Sequence, residues 1–322
     1  MRALLLCAGL GTRLRPLTRV RAKAAVPVDG EPLVRRVIAW LESAGIRDLV
    51  VNLHHRPESV AAVVGDGSDL GVRVRYSWEQ PVLGSAGGPR RALPLLTEGD
   101  TARPFLLVNG DTLTDVDVEA LLREHTRSGA LVTMALIPNP RPDKYGGVLL
   151  DEDGAVTGFT RRGMPGPSFH FIGVQAAQAD AFASLTDGVA VESVGALYPE
   201  LMRARPRSVR GFVSTASFQD IGTPADLLQT SLALAALDGR AGRPGHGERV
   251  TIAPDARVER SLLWDDVAVG AGAHVHECIL ADGVTIPPGS TFARCAIVDD
   301  DGTPPDVHQY IRDGLFVAPL DP

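Results

Sequence analysis

The sequence has little of several features that would mark a specialised class of protein. Its 3 cysteines, Cys7, Cys278 and Cys295, are too few and too scattered for a disulfide framework, and no Cys/His spacing is typical of zinc. No apolar run approaches the roughly 20 residues that span a bilayer. The formal net charge of −7 lacks the basic excess that nucleic acids attract. We expect a cytoplasmic protein without a membrane or nucleic-acid partner.

The composition is that of a globular chain, and its pattern predicts an α/β fold. Apolar residues make up 44% of the 322 residues, a length typical of roughly two domains. Short apolar runs alternate with helical patterns over the first two-thirds, which predicts a mixed, mostly parallel sheet flanked by helices. The brief run before Arg13 and Arg15 is explained better by a buried strand than by a signal peptide. Strands are expected at 2–7, 48–53, 72–78 and 104–111, helices at 32–45, 57–65, 86–96, 117–129, 194–205 and 223–237, and antiparallel strands between 131 and 173.

An internal repeat follows a glycine-rich linker at 238–249. "IAPDARVERSLLWDDVA" from Ile252 is followed by "VGAGAHVHECILADGVT" and "IPPGSTFARCAIVDDDG", each 17 residues long. A fixed period with small residues between apolar ones predicts a stacked β-solenoid over 250–302, and its spacing resembles the hexapeptide left-handed β-helix. Residues 303–322 are expected to form a tail. Two columns recur in the repeat: Ser261, Cys278 and Cys295, and Asp265, Asp282 and Asp299.

The cysteines of that column would stand about 4.8 Å apart along a solenoid, within disulfide reach. We interpret Cys278 and Cys295 as small buried apolar residues, with a regulatory disulfide as the alternative.

The glycine-rich stretch after the first strand fits neither common nucleotide motif. Gly9 and Gly11 are followed by Leu14, which breaks the dinucleotide fingerprint, and the second strand ends in "VVNLHH" without an acid. No P-loop spacing is present. A tight turn would explain the glycines but not Thr12, Arg13 and Lys23.

Five stretches, taken in order, resemble the sugar-1-phosphate nucleotidyltransferases, the NDP-sugar pyrophosphorylases. They cover residues 1–235, and a hexapeptide β-helix is a frequent companion of that family. The resemblance implies a Rossmann-like fold for 1–237. The stretches are "LLLCAGLGTRLRPLT" with "AKAAVPVDGEPL", "VLGSAGGPRRAL", "LVNGDTL", "KYGGVLLDEDGAVTGF" and "FQDIGTPADLLQT".

The family motifs imply roles for particular residues. Backbone N–H groups of the glycine-rich stretch would surround a triphosphate, since glycine lets the chain come close. Arg13 would hold the leaving pyrophosphate and Lys23 would sit near the α-phosphate. Asp111 and Asp220 match the family's Mg²⁺ ligands. The implied nucleotide-binding residues are Ala8, Gly9, Gly11, Thr12, Glu79, Gly84, Ser85, Gly87, Asn109 and Gly110, and the sugar-phosphate residues are Gly147, Arg162 and Gly173.

The base and the sugar are less clearly specified than the phosphates. Glu79 stands where uridylyl and thymidylyl relatives often carry glutamine, and a carboxylate suits the two donors of guanine. The alternative is that nearby backbone reads the base, so guanine is only slightly preferred over uracil. Arg161 and Arg162 replace a frequent Glu-Lys pair; Arg162 can still bind phosphate, whereas Arg161 fits a solvated hairpin.

The expected function is Mg²⁺-dependent transfer of a nucleoside monophosphate from an NTP to a sugar 1-phosphate, as for cell-envelope polysaccharide precursors. The alternative is an idle regulatory subunit that binds an NDP-sugar. An acyltransferase solenoid is a third interpretation, for which His274 and His276 lack a clear acid partner in the sequence. A solenoid with a structural role, or one that joins copies of the chain as a homo-oligomer, fits better.

Overall fold

The computed structural model describes residues 1–320 and divides into two compact units. Unit 1 contains Met1–Gly9 and Val37–Gln219, and unit 2 contains Leu10–Arg36 and the chain from Asp220 onward. Residues 10–26, which we call the signature loop, therefore group with the C-terminal repeat. The domain boundaries drawn from the sequence remain a prediction.

Regular structure is spread over the whole described chain. The helices are α1 (Leu33–Ser43), α2 (Pro57–Val64), α3 (Gly84–Thr97), α4 (Val118–Ser128), α5 (Tyr198–Ala204) and α6 (Pro224–Leu237). The first strands are β1 (Arg2–Leu6), β2 (Pro27–Val28), β3 (Glu31–Pro32), β4 (Asp48–Leu53), β5 (Arg73–Trp78), β6 (Phe105–Asn109), β7 (Thr112–Thr114), β8 (Val132–Pro138), β9 (Gly147–Leu150), β10 (Val156–Thr160), β11 (Phe169–Ala177), β12 (Val209–Val213) and β13 (Phe218–Asp220). The later strands are β14 (Thr251–Ile252), β15 (Arg257–Glu259), β16 (Leu262–Leu263), β17 (Ala268–Val269), β18 (His274–His276), β19 (Ile279–Leu280), β20 (Thr285–Ile286), β21 (Thr291–Ala293), β22 (Cys295–Asp299), β23 (Tyr310–Arg312) and β24 (Leu315–Pro319).

The large sheet of unit 1 has nine strands among the described residues and confirms the mixed α/β fold. Its order is β10-β9-β11-β6-β1-β4-β5, with β8 beside β11 and β12 beside β8. Strands β6, β1, β4 and β5 are parallel, whereas β11 is antiparallel to β6, β8 and β9. The central parallel strands read as continuous apolar runs because both of their faces are buried.

Local sequence signals mark most element ends. The Asp117 side chain accepts a hydrogen bond from Ala120 N, and Gly129 ends α4 in the left-handed region, as capping rules require. The helix expected at 194–205 is instead a π-helical turn at Ser193–Leu197 followed by α5.

In unit 2, the signature loop is built from short 3₁₀ turns and the glycine-rich linker is tied down. The loop contains turns at Thr12–Leu14, Leu17–Arg19 and Lys23–Ala25. Asp29, 7% exposed, accepts hydrogen bonds from Arg240 Nη2 at 2.6 Å and from Gly245 N at 2.6 Å. The linker is thus held by a buried carboxylate.

The C-terminal repeat forms the predicted solenoid. Thr251, Ala268 and Thr285 pair in parallel register, as do Leu262, Ile279 and Ala296, so each turn advances the chain by one repeat. Cys278 and Cys295 are free and buried, with Sγ atoms 3.5 Å apart. No helix in the described part of the chain is both long and apolar enough to cross a membrane.

The segment expected as a tail contains a hairpin. Strand β24 pairs antiparallel with β22, and β23 pairs with β24. The hairpin covers the edge of the last solenoid turn, where unpaired backbone groups would otherwise be exposed.

Candidate active site

The predicted nucleotide-binding residues of unit 1 follow the carboxyl ends of parallel strands. Leu6, the last residue of β1, pairs with Asn52 on one side and Asn109 on the other. Such strand ends are where open α/β sheets bind ligands. The backbone register therefore brings the starts of three loops to one edge of the sheet.

Asn52 holds the first of these loops and was not predicted from the sequence. Its Oδ1 accepts hydrogen bonds from Cys7 N at 2.6 Å and from Ala8 N at 3.2 Å. Its Nδ2 donates to Glu79 Oε1 at 2.6 Å. The "VVNLHH" strand carries this asparagine, but the partners lie tens of residues away and leave no local signal.

Glu79 is buried, and both of its oxygens are engaged. It is 4% exposed, and Leu83 N donates to Oε2 at 2.8 Å just before α3 begins. A Cβ on Gly88 would lie 2.5 Å from Glu79 Oε1 and 2.9 Å from Asn52 Nδ2, so glycine is required there. Glu79 thus joins the start of α3 to the loop that Asn52 holds.

The first turn of α3 contains Gly84, Ser85 and Gly87, three of the predicted base and ribose residues. Ser85 Oγ donates to Glu192 Oε2 at 2.6 Å, and Ala86 N donates to Val191 O at 2.9 Å. A Cβ on Gly87 would lie 2.5 Å from a backbone carbonyl. The loop is therefore held closely against the segment before the π-helical turn.

Asn109 ends β6, and Gly110 and Asp111 follow it beside the β1 loop. Gly110 N donates to Leu6 O at 3.0 Å, and a Cβ on Gly110 would meet Cys7 Sγ at 2.5 Å. Burial, and then the charge of Asp111, raise the pKa of the Cys7 thiol. Cys7 is therefore an inert packing residue next to a predicted metal ligand.

Two predicted sugar-side glycines stand at close approaches within unit 1. Gly173 has φ +80°, and a Cβ there would collide with Thr112 Oγ1 and lie 2.8 Å from Asn109 Nδ2. Gly147 N donates to Thr160 Oγ1 at 3.1 Å, in the hairpin of β9 and β10. Arg162 is exposed just after β10.

In unit 2, Gly11 brings the signature loop back on itself. It has φ +60°, and Thr18 Oγ1 donates to Gly11 O at 3.0 Å. A Cβ on Gly11 would lie 2.8 Å from Thr18 Cγ2 and 3.2 Å from Lys23 Cβ. Gly11 and Lys23 therefore occupy one compact turn, as a phosphate cradle needs.

Arg13 and Asp220 meet at Gly222. A Cβ on Gly222 would lie 2.9 Å from Arg13 Nη1 and 3.2 Å from Asp220 Oδ1. Thr223 and Asp226 form a capping box directly afterwards, which sets where α6 begins. A guanidinium and a carboxyl group are thus positioned side by side at the end of β13.

A cavity of about 690 Å³ opens beside Arg13 in unit 2. Two arginines and the C-terminal hairpin segment line it. The lining residues are Arg13, Arg15, Thr223, Pro224, Asp306, Val307, His308, Gln309, Ala318, Pro319 and Leu320. The hairpin that was missed in the sequence therefore forms a wall next to a predicted catalytic residue.

The predicted magnesium ligands are divided between the units, with Asp111 in unit 1 and Asp220 in unit 2. Residues 1–320 contain no group of three or more His, Cys, Asp or Glu side chains able to hold a metal ion. Mg²⁺ in nucleotide enzymes needs only one or two carboxylates, with phosphates and water completing its shell. The donor chemistry of the two aspartates fits such an ion.

Curated relatives and a solved structure resemble the chain over most of its length. Mannose-1-phosphate guanylyltransferase of Mycobacterium tuberculosis is 29% identical, over 82% of this chain and 79% of the relative. N-acetylmuramate alpha-1-phosphate uridylyltransferase of Neisseria meningitidis is 34% identical, over 69% and 94%. D-glycero-alpha-D-manno-heptose 1-phosphate guanylyltransferase of Aneurinibacillus thermoaerophilus is 30% identical, over 70% and 95%.

The crystal structure of HddC from Yersinia pseudotuberculosis complexed with GMP-PN shares the fold, with a TM-score of 0.61 and 21% identity over 71% of this chain and 97% of that one. Residues 246–302 match the GlmU-like C-terminal hexapeptide family, and residues 2–162 match the nucleotidyl transferase family. The chain belongs to the nucleotidyl transferase family and carries a C-terminal hexapeptide domain.

Proposed function

We propose that the protein transfers a nucleoside monophosphate from an NTP to a sugar 1-phosphate and releases pyrophosphate. The observation that carries this proposal is that Arg13 and Asp220 both lie against Gly222. Such a transfer requires a cation that binds the leaving phosphate group, which Arg13 supplies. It also requires a carboxyl group that binds a metal ion, which Asp220 supplies.

The sugar phosphate is itself the nucleophile, so the protein has little covalent chemistry to supply. It brings two anions together and aligns the attacking oxygen with the departing pyrophosphate. Backbone N–H groups of Gly9, Gly11 and Thr12 would surround the triphosphate. Arg13 would bind the pyrophosphate as charge builds up on it, and Lys23 would neutralise the α-phosphate.

Asp111 and Asp220 would hold Mg²⁺. When bound, the ion neutralises phosphate charge and helps orient the triphosphate. The remaining residues of the proposed site bind the base and the sugar.

GTP with a mannose- or heptose-type sugar is the preferred substrate pair, with UTP close behind. Two of the relatives described above are named guanylyltransferases and one is named a uridylyltransferase. Since both Glu79 oxygens already accept hydrogen bonds, we propose that Glu79 positions the base loop and that backbone groups near Gly84 read the base.

The sugar 1-phosphate would bind at Gly147, Gly173 and Arg162. Arg162 is exposed and can hold the phosphate, whereas Gly147 and Gly173 let the backbone come close to neighbouring side chains where a Cβ would not fit. We further propose a cytoplasmic reaction whose product serves cell-envelope polysaccharide synthesis, and a solenoid that joins copies of the chain.

The test is pyrophosphate release with Mg²⁺, crossing GTP, UTP, dTTP, ATP and CTP against a panel of sugar 1-phosphates. Release that depends on one pair, and stops when EDTA removes the metal, supports the proposal and identifies both substrates. If no substrate pair releases pyrophosphate but NDP-sugars still raise the melting temperature, the proposal would be overturned in favour of a regulatory subunit.

A further inference from the structure

The repeated aspartate column of the solenoid has a partner in the signature loop. Arg21 lies between Arg13 and Lys23 in sequence, and its Nε donates to Asp282 Oδ2 at 2.7 Å. Its Nη2 donates to Asp282 Oδ1 at 2.8 Å and to Asp265 Oδ2 at 2.5 Å. One guanidinium thus spans two successive turns of the solenoid.

The aspartates are themselves held in place. Asp265 N donates to Asp282 Oδ1 at 3.1 Å, and Asp265 Oδ1 accepts from Glu248 N at 2.7 Å. The Arg21 guanidinium also stands 5.6 Å from the ring of Trp264, which is fully buried. Burial disfavours the charge on Arg21, but hydrogen bonds and the charges of the two aspartates outweigh it and raise its pKa.

A second arginine ties the same loop to the end of the solenoid. The Arg19 guanidinium lies 4.3 Å from the centre of the Phe316 ring on β24, and 3.6 Å from Asp301. Between these contacts and Gly11, Thr18 Oγ1 closes the loop on Gly11 O. Movement at Arg19 or Arg21 would therefore displace the turn that carries Gly11 and Lys23.

These contacts differ from the ordinary surface ion pairs of the solenoid. The Arg21 side chain is 13% exposed and its two partners are below 30%, whereas Arg249 and Asp266 are 60% and 53% exposed in a pair of similar geometry. Exposed pairs contribute little because water and salt screen them. A half-buried fork that spans two acceptors restricts the loop far more.

We propose that Arg21 is a positioning residue for nucleotidyl transfer. Through its hydrogen bonds to Asp265 and Asp282, the solenoid helps hold the triphosphate-binding turn in place. The proposal rests on the proposed function of that turn. It assigns the solenoid an effect on chemistry in addition to any role in assembly.

The kinetic test compares Arg21→Ala and Asp282→Asn with Arg249→Ala as the matched control. We expect Arg21→Ala to raise KM for the NTP and lower kcat at least tenfold, while KM for the sugar 1-phosphate stays within twofold because its proposed residues belong to unit 1. Asp282→Asn keeps Asp265 and should give a smaller effect in the same direction. Arg249→Ala should match wild type within twofold, and Arg21→Lys, which lacks the fork, should recover only part of the loss.

Hydrogen exchange of the substrate-free protein tests the coupling without relying on activity. Arg21→Ala should speed amide exchange in residues 10–26 and leave the solenoid strands protected. If wild type is inactive with every substrate pair but this change is seen, the proposed function fails and the coupling stands. The coupling would be overturned if Arg21→Ala showed wild-type exchange and wild-type kinetics, or if it lost protection equally throughout the solenoid. If Arg21→Ala does not fold, Asp282→Asn is judged by the same criteria.

Discussion

The two compact units hold their predicted site residues by different physical means. In unit 1, strand register places Asn52 and Asn109 beside Leu6, and a buried amide then ties the loops together. In unit 2, the signature loop has only short 3₁₀ turns, and arginine side chains hold it to the solenoid. One region relies on the backbone and a buried hydrogen-bond network, the other on charged side chains.

This difference predicts how each region fails. Leaving one group of a buried polar network without its hydrogen-bond partner is costly, so substitutions in the network of unit 1 should lower the free energy of unfolding. The Arg21 anchor is half-buried but is not part of the apolar core of the solenoid, so its removal should lower activity before it lowers stability. The predictions below test this division.

The largest effect is expected at the two proposed Mg²⁺ ligands. Asp111→Asn and Asp220→Asn should each reduce turnover at least 10³-fold, because a neutral amide binds Mg²⁺ far more weakly than a carboxylate. Pyrophosphate release measures the loss, and circular dichroism checks the fold. Asp117→Asn is the control, since asparagine also caps a helix. Wild-type rates in either variant would show that the metal assignment is wrong.

Asn52→Asp should be the most destabilising change in unit 1. It places a second carboxyl group where Asn52 Nδ2 now donates to Glu79 Oε1 at 2.6 Å, so a donor is lost and two acceptors face each other in a buried site. We expect a loss of about 3–5 kcal/mol in the free energy of unfolding. Urea denaturation measures it. Adding Glu79→Gln restores a donor and should recover most of the loss; no recovery would mean that the pair is not the cause.

The sequence predicted best what a repeating side-chain pattern encodes. The strand expected at 48–53 has those bounds, and the 17-residue period is the observed register shift between solenoid strands. Both follow from apolar residues that recur at a fixed spacing, so short stretches suffice. The predicted site residues of unit 1 came instead from the resemblance to a family, which the strand pattern alone does not supply.

Contacts between distant residues could not be predicted in this way. Asn52 and Glu79 are 27 positions apart, and Arg21 is 261 positions from Asp282, with nothing in the local pattern of either partner to join them. The aspartate column was visible as a repeat, but its partner was not. The His276 Nδ1 atom lies 3.5 Å from Glu259 on the preceding turn, an acid partner that the sequence also concealed.

The pH dependence of unfolding tests whether the core of unit 1 depends on uncharged polar groups. Burial lowers the pKa of His125 from 6.5 to about 4, and its Nδ1 lies 2.9 Å from Thr133 Oγ1. Between these values the unfolded chain binds the proton and the folded chain does not, so stability falls as the pH is lowered, by about 1.4 kcal/mol per pH unit. The His125 contribution should therefore reach about 3 kcal/mol at pH 4. Urea denaturation of His125→Gln from pH 4 to 7 should show a shallower slope, and equal slopes would contradict the assignment.

The smallest change is a single methyl group at Gly88. The new Cβ would lie 2.5 Å from Glu79 Oε1, so Gly88→Ala should force the Asn52–Glu79 pair apart and cost about 1–3 kcal/mol. Gly158→Ala is the matched control: it lies in β10, no atom stands within 4 Å of its added Cβ, and stability should hardly change. Thermal denaturation of both variants measures the difference. Equal melting temperatures would mean that the buried network adjusts at no cost, and unit 1 would then be no more rigid at this point than the charge-held loop of unit 2.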